Sequence, residues 1–494
     1  MKSTRSNFGF KRKSGILMSV SSLPCKYGIG SIGAPSFKFI DFLKECKQKV
    51  WQVLPLNPTA FGDSPYQSPC SFAGNPYFID LESLKADGLL SAEDLQGAID
   101  DGVKVNYGEL FQKRIPLLKK AHARFVATDK YEKFVKDNAS WLDDYALFMA
   151  LKEQNDFKSW SEWGDMRQYA VAKQSESGYA AECEFYKFLQ FEFFSQWKKV
   201  RAYAKKNGVE IVGDMPIYVA YDSVEVWRDP SEFLLDENLV PTVVAGCPPD
   251  AFSDDGQLWG NPVYDWKKMK ANGYRWWVER AKRVFELYDI VRIDHFRGFA
   301  GYYVIPNGDK TAKGGHWEKG VGYELFVEIE KAVPKAKIIA EDLGHITPDV
   351  RDLLEKTGYP GMKVLQFAFN DKKNEYLPRN YKTDNCVVYT GTHDSAPTKA
   401  WFADLTDEER KAFDRECPVR FGQSPTAALV ALAMNSPANL AVIPLQDYME
   451  LGAESRMNTP STAQGNWTWR ASRRFATAAL KNKIIAATEN SDRA

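Results

Sequence analysis

Three acidic residues each follow a short apolar run, at points where a buried strand would hand over to a loop. Asp294 ends the run in Val291-Arg292-Ile293-Asp294-His295-Phe296-Arg297-Gly298, Glu341 does so in Ile339-Ala340-Glu341-Asp342-Leu343-Gly344, and Asp394 sits in Thr392-His393-Asp394. Carboxylates converging on one mouth suit cleavage of a glycosidic bond. That reaction needs one ionised nucleophile and one protonated acid of raised pKa. Arg292 lies two residues before Asp294, so on an extended strand its side chain shares that face and is placed to keep the carboxylate ionised. Any one of the three, taken singly, reads as a satisfied loop-end carboxylate. Three at strand ends, with an arginine and a histidine beside them, point to a site.

A scaffold that brings such residues together must align the strand ends. Eight apolar runs read as buried parallel strands: Gly15–Val20, Val50–Leu56, Val209–Val219, Ile290–Phe296, Lys337–Glu341, Gly361–Phe367, Cys386–Thr390 and Asn439–Leu445. Helical patterns lie between them. One is the stripe Phe185, Phe188, Leu189, Phe193, Trp197 and Val200, stopped by Asn207-Gly208. Alternation of this kind predicts an α/β fold, a (β/α)8 barrel whose active site lies at the carboxyl ends of its strands. The spacing is uneven. Residues 57–208 must form an insertion after the second strand, with a capping box at Ser91 and a further helix near Trp141. Residues 220–289 form another after the third. These insertions are expected to be mainly helical. The stretch beyond Leu445 has room for a loop and helix, not for a C-terminal β-sandwich.

Composition narrows the substrate. Lys+Arg and Asp+Glu are both 65, giving a formal net charge of zero, and this argues against nucleic acid or anionic lipid as a partner. It fits an uncharged ligand. The 494 residues allow about three domains by length alone, or one barrel enlarged by insertions. Aromatics reach 14%, with 14 Trp, 23 Tyr and 30 Phe, enough both to fill a core and to stack on sugar faces. The basic start of the chain lacks a signal h-region, no run is long enough to span a membrane, and seven scattered cysteines show no paired motif. A cytoplasmic protein with reduced thiols and no cofactor or metal is expected. His295 and His345, each near a candidate acid, read as hydrogen-bonding side chains and not as catalysts.

The three acidic motifs together resemble those of α-amylase-type barrel enzymes. The closest resemblance is to glycoside hydrolase family 77, the 4-α-glucanotransferases called amylomaltases or disproportionating enzymes. Further matching segments are Ser64-Pro-Tyr66-Gln-Ser-Pro, Gly74-Asn-Pro-Tyr77, Gly213-Asp214-Met-Pro-Ile-Tyr-Val219, Pro248 to Tyr264, Arg456-Met-Asn-Thr-Pro and Gly465-Asn-Trp467. They extend over essentially the whole chain. The resemblance implies that Asp294 is the nucleophile, Glu341 the general acid/base, and Asp394 the carboxylate that grips the 2- and 3-hydroxyls of the sugar. It implies that Arg292, His393, Tyr66 and Asp214 line the same subsite, with Ser64 and Asn458 among the substrate-binding residues. The stretch 248–264 is implied to be a loop over bound glucan, with Phe252, Gln257 and Trp259 as contacts. Implied substrates are an α-1,4-glucan donor and a glucose or maltooligosaccharide acceptor. Ser461 departs from the pattern, since the family often has glycine there. An α-1,4-glucan hydrolase is the alternative, because it would use the same carboxylates; a non-catalytic glucan binder is a remoter one.

A rival motif lies near the start of the chain. Gly28-Ile-Gly30-Ser-Ile-Gly33 matches the dinucleotide fingerprint G-x-G-x-x-G. Gly28 lies well beyond Val20, outside the tight turn the fingerprint requires, and no acidic residue stands where a ribose would be held. The resemblance to family 77 implies a glycine-rich loop on the barrel rim at this position.

Overall fold

The computed structural model describes residues 12–100, 102–249 and 253–494. Each of the eight apolar runs holds a strand: β1 (Lys13–Leu17), β2 (Val50–Gln52), β3 (Glu210–Met215), β4 (Ile290–Ile293), β5 (Ile338–Ala340), β6 (Gly361–Val364), β7 (Cys386–Tyr389) and β8 (Leu440–Pro444). They close into one parallel barrel in sequence order, with β8 pairing β1. Most of the strands are buried on both faces, which is why they read as apolar runs; β6 alternates, with Gly361 and Lys363 half-buried. They are shorter than the runs that announced them. Val53–Leu56 and Ile217–Val219 remain buried but leave the ladder and build the rim.

The barrel seam is closed from outside by arginines. The buried Arg493 guanidinium donates to the carbonyls of Met434 (2.7 Å), Ser436 (3.0 Å), Ala438 (2.7 Å) and Lys13 (3.0 Å). Arg12 donates to Met434, Ser436 and Ser491 carbonyls. A five-donor guanidinium suits such a cluster of loop and helix-end carbonyls beside the start of β1.

Between β2 and β3 the chain builds a helical layer, including Tyr107–Arg124, Asp129–Gln154 and Ala180–Lys206. The apolar stripe read from the sequence is buried along Ala180–Lys206, and Gly208 turns at φ 71° to release the chain into β3. Trp197 ties this helix to the barrel by donating its indole N–H to Leu287 O (2.9 Å), just ahead of β4. Ser91 and Asp94 form the expected capping box.

A second sheet was not foreseen. Four antiparallel strands run in the order Gln257–Pro262, Val243–Cys247, Gly301–Pro306, His316–Lys319. Two come from the insertion after β3 and two from a hairpin after β4, so the rim carries a small β-layer beside the helices. Gln257–Pro262 is therefore an edge strand and not part of a polar loop, a position that tolerates Pro262 at its end. The hairpin turn also braces the neighbouring segment, since Lys313 pairs with Asp255 (2.6 Å) and Ala312 N–H donates to Asp255 O (2.8 Å). Among the described residues no helix is long and apolar enough to cross a membrane.

Candidate active site

Strand register alone sets the candidate residues side by side. Asp214 pairs with Arg292 across β3 and β4, and Ile293 pairs with Ala340 across β4 and β5. Asp294 and Glu341 are the next residue on each strand, at the carboxyl mouth. The β3 position before Asp214 must be glycine. A Cβ on Gly213 would lie 2.1 Å from the ring of Tyr288, so any side chain there would push β3 off its neighbours.

Arg292 is fully engaged. Its Nη1 reaches both Asp214 oxygens (2.7 and 2.8 Å), its Nη2 reaches Asp294 Oδ1 (2.9 Å), and its Nε faces Met362 Sδ (3.5 Å). Burial opposes the guanidinium charge, but Asp214 and Asp294 outweigh it and hold Arg292 more firmly protonated than usual. One cation thus serves two aspartates, and the expectation that Arg292 faces Asp294 is met at hydrogen-bonding distance.

Glu341 sits in a different setting. Both its oxygens accept from neutral amides, Oε2 from His295 N–H (2.7 Å) and Oε1 from Leu343 N–H (2.8 Å). Burial pushes its carboxyl up to about 8; Arg292 and the two amides resist, while Asp294 adds to the rise. Burial also pushes Asp294 up, to about 6, against the pull of Arg292. With 28% of its side chain exposed and a guanidinium in contact, Asp294 is the more acidic of the pair. The two carboxyls are thereby separated into a base-like and an acid-like partner.

A third cluster holds Asp394. Asn458 Nδ2 donates to Asp394 Oδ1 (2.7 Å), His393 Nε2 lies 3.2 Å from Oδ2, and Arg456 Nη2 donates to Asp394 O (3.0 Å). Tyr66 joins this cluster to the first. Its hydroxyl donates to Asp214 Oδ2 (2.8 Å) and lies 2.9 Å from His393 Nε2. Because that hydroxyl proton is directed at Asp214, and Asp394 only accepts, the ring proton of His393 belongs on Nε2. The Tyr66 and His393 rings stack at 5.2 Å, and Trp467 closes on both at 5.6 and 5.9 Å. Burial, with Asp214 next, holds the Tyr66 phenol well above its ordinary pKa, so it stays a donor.

The structure brings together Asp294, Glu341, Asp394, Arg292, Asp214, Tyr66, His393 and Asn458. Ser64 lies at the turn that presents Tyr66, its Oγ accepting from Tyr66 N–H (3.2 Å). Trp259 stands edge-on to His295, ring centroids 4.8 Å apart, and donates to Gln257 Oε1 (3.1 Å). Phe252 lies outside the described residues. Arg456 and Trp467 occur in matched segments, but nothing in their spacing alone assigned them a task. Ser461 adopts φ 63°, the left-handed turn that glycine would take most easily, so the turn survives the departure. Among the histidines, His345 is exposed, and His295 makes its contact with Glu341 through the backbone, not through the ring as expected. At the glycine-rich rim loop, Gly33 precedes the helix Ala34–Glu45, and Asp80 fills the helix start: a Cβ on Gly33 would fall 2.2 Å from its carboxyl carbon. A carboxylate already holds the place a pyrophosphate would need.

The profile of the glycoside hydrolase 77 family, described as 4-alpha-glucanotransferase, matches residues 18–476. The 4-alpha-glucanotransferase of Clostridium butyricum is 45% identical over 481 residues, covering 95% of this chain and 99% of that protein. That of Thermus thermophilus is 45% identical over 479 residues, covering 93% and 94%. Among solved structures, amylomaltase from Streptococcus agalactiae in complex with acarbose superposes with a TM-score of 0.94 at 38% identity, covering 98% of this chain and all of that one. Amylomaltase from Corynebacterium glutamicum, at 18% identity and a TM-score of 0.78 over 97% of this chain and 75% of that one, shares the fold.

Proposed function

The chain belongs to the glycoside hydrolase 77 family of 4-alpha-glucanotransferases, and from that premise we propose how its residues divide the work of transferring a segment of an α-1,4-glucan. Asp294 attacks the anomeric carbon while Glu341 protonates the departing glycosidic oxygen, giving a covalent glucosyl-enzyme. Glu341, now ionised, deprotonates the 4-hydroxyl of the incoming glucose or glucan, which displaces Asp294 with net retention.

The observation that carries this reading is the unequal environment of the two carboxyls. Asp294 touches a guanidinium, whereas among the described residues the Glu341 carboxyl accepts from two neutral amides. A nucleophile must be ionised and a leaving-group acid must be protonated at the same pH, and this asymmetry supplies both. Asp394, held by Asn458 and His393 and 42% exposed at its side chain, is oriented to accept from sugar hydroxyls. Those contacts would strengthen as the ring flattens. Ser64, Tyr66, Gln257, Trp259 and Asn458 complete the proposed substrate-binding set. In this reading, residues 1–494 make one catalytic unit. It has insertions at 57–208 and 220–289, the second including the covering stretch 248–264. All seven cysteines are free thiols, which supports a cytoplasmic setting.

Incubation with maltotriose and no cofactor tests the activity. Glucose and longer oligomers at constant total reducing ends are expected. Rising reducing ends would identify a hydrolase instead, and an unchanged substrate would identify a binder.

A further inference from the structure

His295, directly after the nucleophile, has no part in the double displacement, yet the chain bends there into a left-handed conformation (φ 51°, ψ 46°). That bend has a visible result. The His295 amide turns onto Glu341 Oε2 (2.7 Å), and the next amide, of Phe296, turns onto the Glu341 carbonyl (3.0 Å). Two successive N–H groups therefore clamp one residue at its side chain and at its backbone. With Leu343 N–H on the other oxygen, the Glu341 carboxyl is fixed in orientation.

The imidazole does something separate. Among the described residues its buried Nε2 has no hydrogen-bond partner, and the ring meets Trp259 edge to face (4.8 Å, 87°). Gly298 leaves room for it: a Cβ there would lie 3.1 Å from His295 Cδ2 and 2.7 Å from Ile217. Burial, helped by Arg297, pulls the imidazole down to about 3, which favours the uncharged ring. A buried polar nitrogen without a partner is costly, so its retention needs a packing reason.

We propose that His295 is a positioning residue: its left-handed backbone fixes the acid/base Glu341, and its ring fixes Trp259 at the same mouth. This rests on Glu341 being the acid/base. The charged and titratable groups facing Glu341 are Arg292 on β4, Asp294 just past it, and Tyr376 from the loop after β6. A substitution at position 295 alters none of these side chains, so the alkaline limb of the pH–rate profile is the readout for the amide.

The test compares His295→Asn with His295→Val, because asparagine enters the left-handed region readily and a β-branched residue does not. For His295→Asn we expect kcat within about threefold and an unmoved alkaline limb, with KM for maltotriose raised about tenfold as Trp259 loses its support. For His295→Val, kcat should fall at least about tenfold. Its alkaline limb should move up by about one pH unit, since a lost donor no longer favours the carboxylate. His295→Gly, which takes the bend without strain, should match the Asn variant and stands in if the Val variant does not fold. An alkaline limb moved upward in the Gly variant would overturn the backbone role. Glu341→Gln is measured alongside. Near-normal turnover there would remove the acid assignment and this proposal together; an inactive Glu341→Gln beside identical Asn and Val profiles would overturn the positioning role alone.

Discussion

β3 carries a carboxylate near each end, and the two ends of this strand are set up in opposite ways. At the floor of the barrel, Glu210 pairs with two ammonium groups, Lys13 and Lys337. Burial works against its charge there, but the lysines prevail and its carboxyl lies below the ordinary range. At the mouth, Asp214 shares one guanidinium with Asp294, while Glu341 and Asp394 stand beyond. There Asp294 and Glu341 are pushed up. The floor has cations to spare, and its charges hold strands together. The mouth has a surplus of carboxyls that folding alone would not favour, which is the mark of a site kept for its chemistry.

Substitutions can break this contrast. Asp294→Ala and Glu341→Ala should each lower kcat by about 10⁴-fold or more, and the double variant should be little worse than either single one. Turnover within tenfold of the parent would refute the roles assigned. Arg292→Lys replaces a fork that reaches two aspartates with a single ammonium, so a loss on the order of 10²-fold in kcat is expected, with an intact fold by circular dichroism.

The pH profile sharpens it. The proposed first step needs Asp294 ionised and Glu341 protonated, so kcat/KM should rise through a pKa near 6 and fall through one near 8. In Glu341→Gln the stability should change in the opposite sense to activity. The Glu341 carboxyl is raised on folding, so its favourable contribution is present below its unfolded pKa and is lost as pH rises toward about 8. Urea unfolding above that pH should therefore find Glu341→Gln more stable than the parent by about 1 kcal/mol. Glu210→Gln is the smallest effect. Its lowered carboxyl contributes stability above the unfolded pKa, lost as pH falls through the folded value. Removing it should cost about 1 kcal/mol or less at neutral pH, with maltotriose turnover unchanged.

The barrel and the carboxylates at its mouth were legible because both are local signals. A strand buried on two faces is an apolar run wherever it occurs, and Asp294, Glu341 and Asp394 each announce themselves by ending one or by standing just past one. The four-stranded sheet was not legible, because Val243–Cys247 pairs with Gly301–Pro306 across an intervening barrel strand, and no local pattern encodes that partner. The β-rich Gly301-Tyr-Tyr-Val-Ile305 was the available hint. The same reason hid Arg456 and Trp467. Their tasks depend on meeting Asp394, Tyr66 and His393 in space, and adjacency of that kind leaves no periodicity behind.

The arginine clasp at the seam has a consequence for how the protein is made. Arg493 secures the carbonyl of Lys13, 480 positions earlier. At roughly 5–20 residues per second, a ribosome needs on the order of 24–96 s to synthesise the intervening chain. For most of that interval β1 waits with one flank unpaired, because its partner β8 begins only at Leu440, and the mouth, which includes Asn458, cannot be assembled before translation has passed that residue. Nascent chains arrested before β8 should expose an apolar strand edge and bind holdase chaperones, even though Arg292, Asp294 and Glu341 have long since emerged.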